Sequence, residues 1–436
     1  MGLKNLFIIY ICKIVYYLVK LFGLGGGSTW PGHLALKLNP KFIEEVLSDS
    51  SLKIILVAGT NGKTTTTKLL RYILEKNSVS TLINEEGANL LNGVVSAIVS
   101  KGIKNKAVIF EIDENTLPQI ISKIKPFAII LLNIFRDQLD RYGEVNTIAS
   151  KWRESFKKLP KETLLIINAD DPRLGFIGRC SKQKVYYFGL SDKYFTKKEI
   201  PHDVDSVYCP SCGSPLNYYA MSYSHLGSYS CNVCGFKRPQ ISKLTISNNI
   251  PLAGTYNIYN IYAAVLCAHL GFKISVRKLL CEIQDFKPAF GRQEAVEYKG
   301  RKIFILLSKN PTGFNQSIET LLTLDNDKKD LLVVLNDRIP DGRDVSWIWD
   351  VEFEKLLNAA KSLTVSGDRP YDMALRFKYC FDSPQLENQK INVVENLEEA
   401  IKTAVGMTAQ GKTLYVLATY SAMLEVRKII FGRKLL

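Results

Sequence analysis

One stretch limits what this chain can fold into more than any other: Val57-Ala58-Gly59-Thr60-Asn61-Gly62-Lys63-Thr64-Thr65-Thr66, entered from the apolar run Leu52 to Leu56 and left through a helical segment. The order is strand, phosphate loop, helix. Glycines at 59 and 62 let backbone N–H groups approach phosphate oxygens, Lys63 supplies a positive charge, and Thr64 offers a hydroxyl to Mg²⁺ at a helix N-terminus. Val57 stands where the usual G-x-x-x-x-G-K-[ST] pattern has its first glycine, so the loop is a shortened variant. A nucleoside triphosphate is the expected ligand of Gly59, Thr60, Asn61, Gly62, Lys63, Thr64 and Thr65.

The rest of the chain alternates strands and helices around that loop. Val108 to Ile112, Ala128 to Asn133, Leu164 to Asn168 and Val185 to Phe188 read as short strands, which predicts a parallel α/β sheet. At the C-terminal end of one stands Glu111-Ile112-Asp113-Glu114, where a carboxylate across from a phosphate loop would serve as a further Mg²⁺ ligand; a solvated acidic loop is the alternative. Asn84 to Asn89 is either an ordinary turn or a substrate-facing loop. From Arg301 onward a second alternation begins, with strands expected at Ile303 to Leu307, Leu331 to Leu335, Leu363 to Val365, Ile391 to Val394 and Leu414 to Ala418.

Between the two sheets, Cys209-Pro210-Ser211-Cys212 and Cys231-Asn232-Val233-Cys234 form two C-x-x-C pairs, each followed by glycine. That spacing suits one tetrahedral Zn²⁺ held by Cys209, Cys212, Cys231 and Cys234. Four thiolates close the coordination shell, so the metal would be structural. Paired C-x-x-C clusters in a long chain argue for reduced thiols and a cytosolic protein. The tyrosines at 208, 218, 219, 223 and 229 are expected to cover this ribbon rather than to stack on bases.

With 436 residues, 46% hydrophobic and 23% charged, the chain has room for two or three globular domains. Its formal charge of +15 suits an anionic partner, and a lysine-rich proteome explains it equally well. The apolar segment Leu6 to Leu21 is interrupted by Lys13 and Lys20, which argues against a bilayer-spanning helix and suits docking on the body of the protein or lying against a membrane surface. Docking is the preferred reading. Gly23 to Ser28 reads as a hinge, and Pro40 to Leu47 as a helix. The domain boundaries expected are 1–50 for the N-terminal segment, 51–295 for the ATPase domain with a ribbon insertion at 205–240, and 296–436 for a Rossmann-like α/β domain.

Several of these motifs resemble the Mur ligase superfamily, whose members use ATP to activate carboxylates as acyl phosphates. G-T-N-G-K-T-T resembles its ATP loop. The resemblance implies that Glu111 is a metal-binding and catalytic glutamate, that Asn257 faces the adenine, and that Arg292 points at the nucleotide. Asn133 to Gly143 is similar to the family's N-x-x-x-D-H-x-D-R-x-G loop with Gln138 in place of histidine, and Lys151 lies near a lysine that the family carbamylates, although a surface lysine is preferred. Where amino-acid-joining members have an Asp-Tyr-Ala-His-Asn-Pro-like run, this chain reads Ser308-Lys309-Asn310-Pro311.

K-N-P-x-G-F-N, D-G-R-D-x-S-W-I-W-D and T-Y-S-A-M-L together look like the MurT family, the ligase subunits of lipid II isoglutaminyl synthase. That resemblance implies amidation of the α-carboxylate of D-glutamate in lipid II, with ATP and Mg²⁺ and with ammonia from a separate GatD-like glutamine amidotransferase. It also implies that Asp344, or in reserve Asp350, completes the partner's Cys-His pair. The cysteines outside the ribbon, at 12, 180, 267, 281 and 380, sit in no G-x-C-x-G elbow, in keeping with a glutaminase acting in trans. A folylpolyglutamate synthetase-like ligase, a zinc-ribbon nucleic-acid-binding ATPase and a non-catalytic scaffold are the rival readings.

Overall fold

The computed structural model describes residues 2–21, 29–49, 51–84, 87–103, 106–137, 144–201, 203–242, 252, 254–286, 292–324, 327–380 and 390–432. The chain divides into two compact units. One holds residues 1–135, 144–198 and 206–287; the other holds 136–143, 199–205 and 288–436.

In the first unit, α1 (Leu3–Leu21), α2 (Trp30–Leu38) and α3 (Phe42–Val46) precede β1 (Lys53–Ala58). Then follow α4 (Lys63–Lys76), β2 (Thr81–Ile83), α5 (Leu91–Lys101), β3 (Ala107–Ile112), α6 (Thr116–Ile121), β4 (Ala128–Leu131), α7 (Val145–Phe156), β5 (Leu164–Asn168), α8 (Pro172–Cys180) and β6 (Lys184–Phe188). These strands form one sheet in the order β2-β3-β1-β4-β5-β6, parallel throughout. β1, β3 and β4 are covered on both faces, which is why they read as unbroken apolar runs instead of alternating. The hairpin β7 (Asn217–Tyr223) and β8 (Leu226–Ser230) leads to α9 (Thr255–Phe272) and α10 (Val276–Glu282). Leu70 and Ile73 of α4, Val57 of β1 and Ala263 and Leu266 of α9 share one core.

The N-terminal helices behave partly as expected. α1 docks on the unit through buried Asn5, Ile8 and Cys12, and Asn5 donates to Glu45 at 2.7 Å. Trp30-Pro31-Gly32, which follows the expected hinge in the sequence, starts α2. Pro31 suits a first helical turn, where its missing N–H costs nothing. Gly32 lies so close to α5 that an added Cβ would come 1.8 Å from the Asn92 carbonyl oxygen, and its N–H donates to Ser96 Oγ at 2.8 Å. The hinge expected at Gly23 to Ser28 lies outside the described residues.

The second unit contains β9 (Arg292–Tyr298), β10 (Arg301–Leu307), α11 (Pro311–Leu324), β11 (Lys329–Val334), α12 (Phe353–Ala359), β12 (Ala360–Ser366), α13 (Pro370–Lys378), β13 (Ile391–Val393), α14 (Leu397–Met407), β14 (Thr413–Ala418) and α15 (Tyr420–Phe431). Strand order is β13-β12-β11-β14-β10-β9. All pairs are parallel except β9 with β10. That antiparallel edge strand was not foreseen. Lys299 (φ 49°) and Gly300 (φ 72°) turn the chain with two positive φ angles, the geometry that matches a tight hairpin to strand twist. Separate apolar cores lie on the two faces of this sheet, one around Phe314, Phe353 and Phe377 and the other around Ile401, Val416 and Val426.

Candidate active site

β1 ends at Ala58, level with Ile112 of β3 and Leu131 of β4. The loop that follows therefore opens at the carboxyl edge of the sheet, beside the strand from which the chain order runs outward in both directions, the place where open α/β sheets bind ligands. Gly59 (φ 142°) and Gly62 (φ 90°) both hold conformations that other residues resist. A Cβ on Gly59 would meet the Leu132 side chain at 2.9 Å, and one on Gly62 would meet Asn260 Oδ1 at 2.2 Å. Asn133 clasps the loop from β4, accepting from the Asn61 N–H at 2.8 Å and donating to the Asn61 carbonyl at 3.1 Å. Thr60 is pinned through its hydroxyl to the Phe135 backbone.

At the N-terminus of α4, Lys63, Thr64 and Thr65 are all buried. Lys63 Nζ donates to the carbonyls of Gly59 (2.5 Å) and Thr60 (3.1 Å) and lies 3.5 Å from Glu114 Oε2. The Thr64 hydroxyl donates to Glu111 Oε2 at 2.8 Å. Glu111 is itself held by Asn84, which accepts the Glu111 N–H and donates to its carbonyl, both at 2.9 Å. Asn84, buried, also donates to the Ala88 carbonyl at 2.7 Å, so it braces its own turn as well as the Glu111 backbone. Glu114, which sequence reasoning passed over, is fixed by Trp152 Nε1 donating to its carbonyl at 2.8 Å. Its only sequence signal was membership of the acidic run after β3.

These side chains fit a magnesium–nucleotide. Backbone N–H groups at the start of a long helix, a lysine and two glycine approaches suit phosphate oxygens, while Glu111 and the Thr64 hydroxyl are hard oxygen donors for Mg²⁺. Asn257 is buried near the start of α9 and accepts from Asn260 Nδ2 at 3.2 Å. Asn260 in turn takes the Thr66 hydroxyl at 3.2 Å, so α9 is tied to α4 beside the loop. Arg292 opens β9 in the second unit, opposite Leu306. Lys151 is exposed on α7, with Nζ 3.4 Å from Asn115 Oδ1.

The ribbon cysteines converge. All four Sγ atoms lie within 4.8 Å of one another, with Cys209–Cys234 at 3.6 Å and Cys212–Cys231 at 3.5 Å. A tetrahedron with ~2.3 Å metal–sulfur bonds has edges of roughly 3.8 Å, so the set fits Zn²⁺, whereas disulfide sulfurs lie only ~2 Å apart. Gly213 (φ 78°) and Gly235 (φ 69°) close the two knuckles with matching turns, their N–H groups donating to the Cys209 and Cys231 carbonyls. Burial pushes the Cys209 thiol up to about 12, while the Ser214 N–H pulls Cys212 down to about 6. Of the five tyrosines, Tyr223 and Tyr229 are buried as expected, but Tyr208 and Tyr219 are exposed. Asp170, just beyond β5, holds the ribbon by accepting from Arg238 and holds α9 by accepting from Tyr259, each at 2.7 Å.

In the second unit the aspartates after β11 separate into different roles. Asp337 pairs with Arg369 at 3.1 Å. Buried Asp341 accepts from the Ser421 N–H at 2.9 Å and from its hydroxyl. Asp350 lies 3.3 Å from Arg136, which also binds Asp205. Asp344 is exposed and accepts the nearby Ser346 N–H at 2.8 Å. Arg136 and Asp137 were read with the central sheet but belong to the second unit, where Asp137 meets Lys309 at 2.5 Å. Gln138 to Gly143 lie outside the described residues.

Two family profiles match the chain, the Mur ligase middle domain over residues 57–268 and the MurT ligase C-terminal domain over residues 307–423. The chain is 34% identical to the lipid II isoglutaminyl synthase (glutamine-hydrolyzing) subunit MurT of Streptococcus pneumoniae, covering 94% of each chain. It is 32% identical to the subunit of the same name from Staphylococcus aureus (strain COL), covering 81% of this chain and 83% of that one. Among solved structures, a pseudomurein peptide ligase type C from Methanothermus fervidus shares the fold, with a TM-score of 0.65 at 24% identity over 89% of this chain and 81% of that one.

Proposed function

The chain belongs to the MurT family of Mur-type ligases, and from that premise we propose that it is the ATP-using subunit of a lipid II isoglutaminyl synthase. The observation that carries this reading is the buried pairing of Lys63 and Thr64 with Glu114 and Glu111 at the mouth of the phosphate loop. In the proposed reaction, the α-carboxylate of D-glutamate in the lipid II stem peptide attacks the γ-phosphorus of ATP and releases ADP. Ammonia then attacks the acyl carbon, phosphate leaves, and a proton is lost to give the α-amide, D-isoglutamine.

Gly59 to Thr65 would bind and orient the phosphates, and Asn257 the adenine. Lys63 would stabilise negative charge on the transferred group. Thr64 and Glu111, joined to each other by a hydrogen bond, would hold a Mg²⁺ ion that neutralises phosphate charge. Zn²⁺ on the four cysteines would be structural, because a closed thiolate shell leaves no position for substrate.

Ammonia would come from a GatD-like glutamine amidotransferase forming a heterodimer with this chain. Asp344 would orient the partner's catalytic imidazole, since its carboxylate is exposed while Asp350 is engaged by Arg136. The reaction would take place at the cytoplasmic face of the membrane, where lipid II is accessible, in peptidoglycan biosynthesis. Relatives named as lipid II isoglutaminyl synthase subunits, covered over 94% and 83% of their length, favour neither a folylpolyglutamate synthetase-like ligase nor a nucleic-acid-binding ATPase. Co-expression with a candidate glutaminase, followed by mass analysis of the stem peptide, tests the reading: exchange of a carboxylic OH for NH₂ that requires ATP and glutamine is expected. An unmodified peptide would overturn it.

A further inference from the structure

The docking of α1 leaves half of the helix unexplained. Asn5, Ile8 and Cys12 are buried, yet Leu3 (86% exposed), Phe7 (66%), Tyr10 (66%) and Tyr17 (67%) face solvent together with Leu6, Ile14 and Leu18. With residues ~100° apart around the axis, this exposed set covers an arc of roughly 120°, opposite the buried one. It is an apolar face as long as the helix itself.

Lysines border the face. Lys4 falls on one side of the arc and Lys13 on the other, and both are at least partly exposed. The sequence has lysines at 4, 13, 20, 37 and 41 but no acidic residue before Glu44. Beside α1, the start of α2 exposes Trp30 (59%). Tyrosine and tryptophan with flanking lysine are the residue types that settle at a lipid–water boundary, their rings among the upper acyl chains and their polar ends with the head groups. No helix among the described residues is long and apolar enough to cross a membrane, so α1 would lie in the plane of the surface.

We propose that the outer face of α1 is a docking surface for an anionic lipid bilayer. A protein partner would also accept apolar side chains, but a helix without any carboxylate and with lysines on both borders matches a continuous anionic plane. The inference rests on the geometry and charge of the first unit alone. Failure of the amidation reading would leave it standing, because its readout is vesicle binding and not turnover.

The test is flotation of the full chain with vesicles of pure phosphatidylcholine and with vesicles containing phosphatidylglycerol. Binding is expected with phosphatidylglycerol and is expected to weaken at high salt. Phe7→Glu/Tyr10→Glu should lower it by about tenfold or more. Lys4→Gln/Lys13→Gln should abolish the preference for phosphatidylglycerol, at about fivefold per lysine. Leu375→Glu, at an exposed apolar position in the second unit, should bind as the parent does. Thermal unfolding of each variant checks folding, and the lysine pair stands as an independent variant should the glutamate pair misfold. Equal binding by parent and variants, or no binding to phosphatidylglycerol, would overturn the proposal. So would a concentration-dependent dimer, without vesicle binding, that the glutamate pair dissociates.

Discussion

Lys63 and Asp344 act in different half-reactions of the proposed activity, so their loss should be distinguishable. Lys63 is buried against the phosphate-loop carbonyls and Glu114. Lys63→Ala should lower amidation by at least ~100-fold whether glutamine or free ammonium supplies nitrogen, the scale expected when one preorganised charge-stabilising group is removed. Retained ammonium-driven turnover would refute the assignment. Asp344→Asn should abolish glutamine-driven amidation, by on the order of 10⁴-fold if its role is to fix an imidazole tautomer, and leave ammonium-driven turnover near the parent value. If Asp350→Asn shows that selective loss and Asp344→Asn does not, the roles are reversed. Glu111 was legible because a motif named its position. Glu114, Asn84 and Asn260 were not, since which member of a polar run turns inward depends on where β3 ends and what packs across from it.

Among the elements, the α4 N-terminus and the ribbon carry the clearest expectations. Gly62→Ala places a side chain at φ 90° and 2.2 Å from Asn260 Oδ1. The backbone term alone is roughly 1–2 kcal/mol, and the displaced Asn260 would loosen the tie between α4 and α9. Nucleotide affinity measured by calorimetry should fall by about tenfold or more; unchanged affinity would mean the tie is unimportant. For the ribbon, one equivalent of zinc per chain is expected by elemental analysis. Cys231→Ser, which leaves three thiolates, should cost at least ~3 kcal/mol of stability in denaturant unfolding. A fully stable, metal-free protein would dismiss the zinc assignment. Strands buried on both faces were easy to read because apolar runs admit few alternatives. α2 and β9 were missed because Pro and Gly look like breaks until a neighbouring backbone, or a two-residue turn, gives them a use.

Taken as a whole, the molecule has two α/β units, each with its own core, and a charge of +15. Ligand binding that favours only the folded form stabilises it by about 2.7 kcal/mol at one hundred times the dissociation constant. Mg²⁺ with a non-hydrolysable ATP analogue should therefore raise the unfolding temperature of the parent, and should leave Lys63→Ala nearly unmoved. An equal shift in both would show that the nucleotide binds elsewhere. What the sequence determined by itself was whatever depends on short separations: the phosphate loop, the alternation of strand and helix, and the spacing of cysteine pairs. In these, local backbone geometry and burial dictate residue type. Only the tertiary structure decided that Asp137 pairs with Lys309, that Asp350 is engaged while Asp344 is exposed, and that α1 keeps one apolar face uncovered. Those outcomes depend on charges and surfaces brought together from distant parts of the chain, and local pattern carries no information about which of several equivalent partners will arrive.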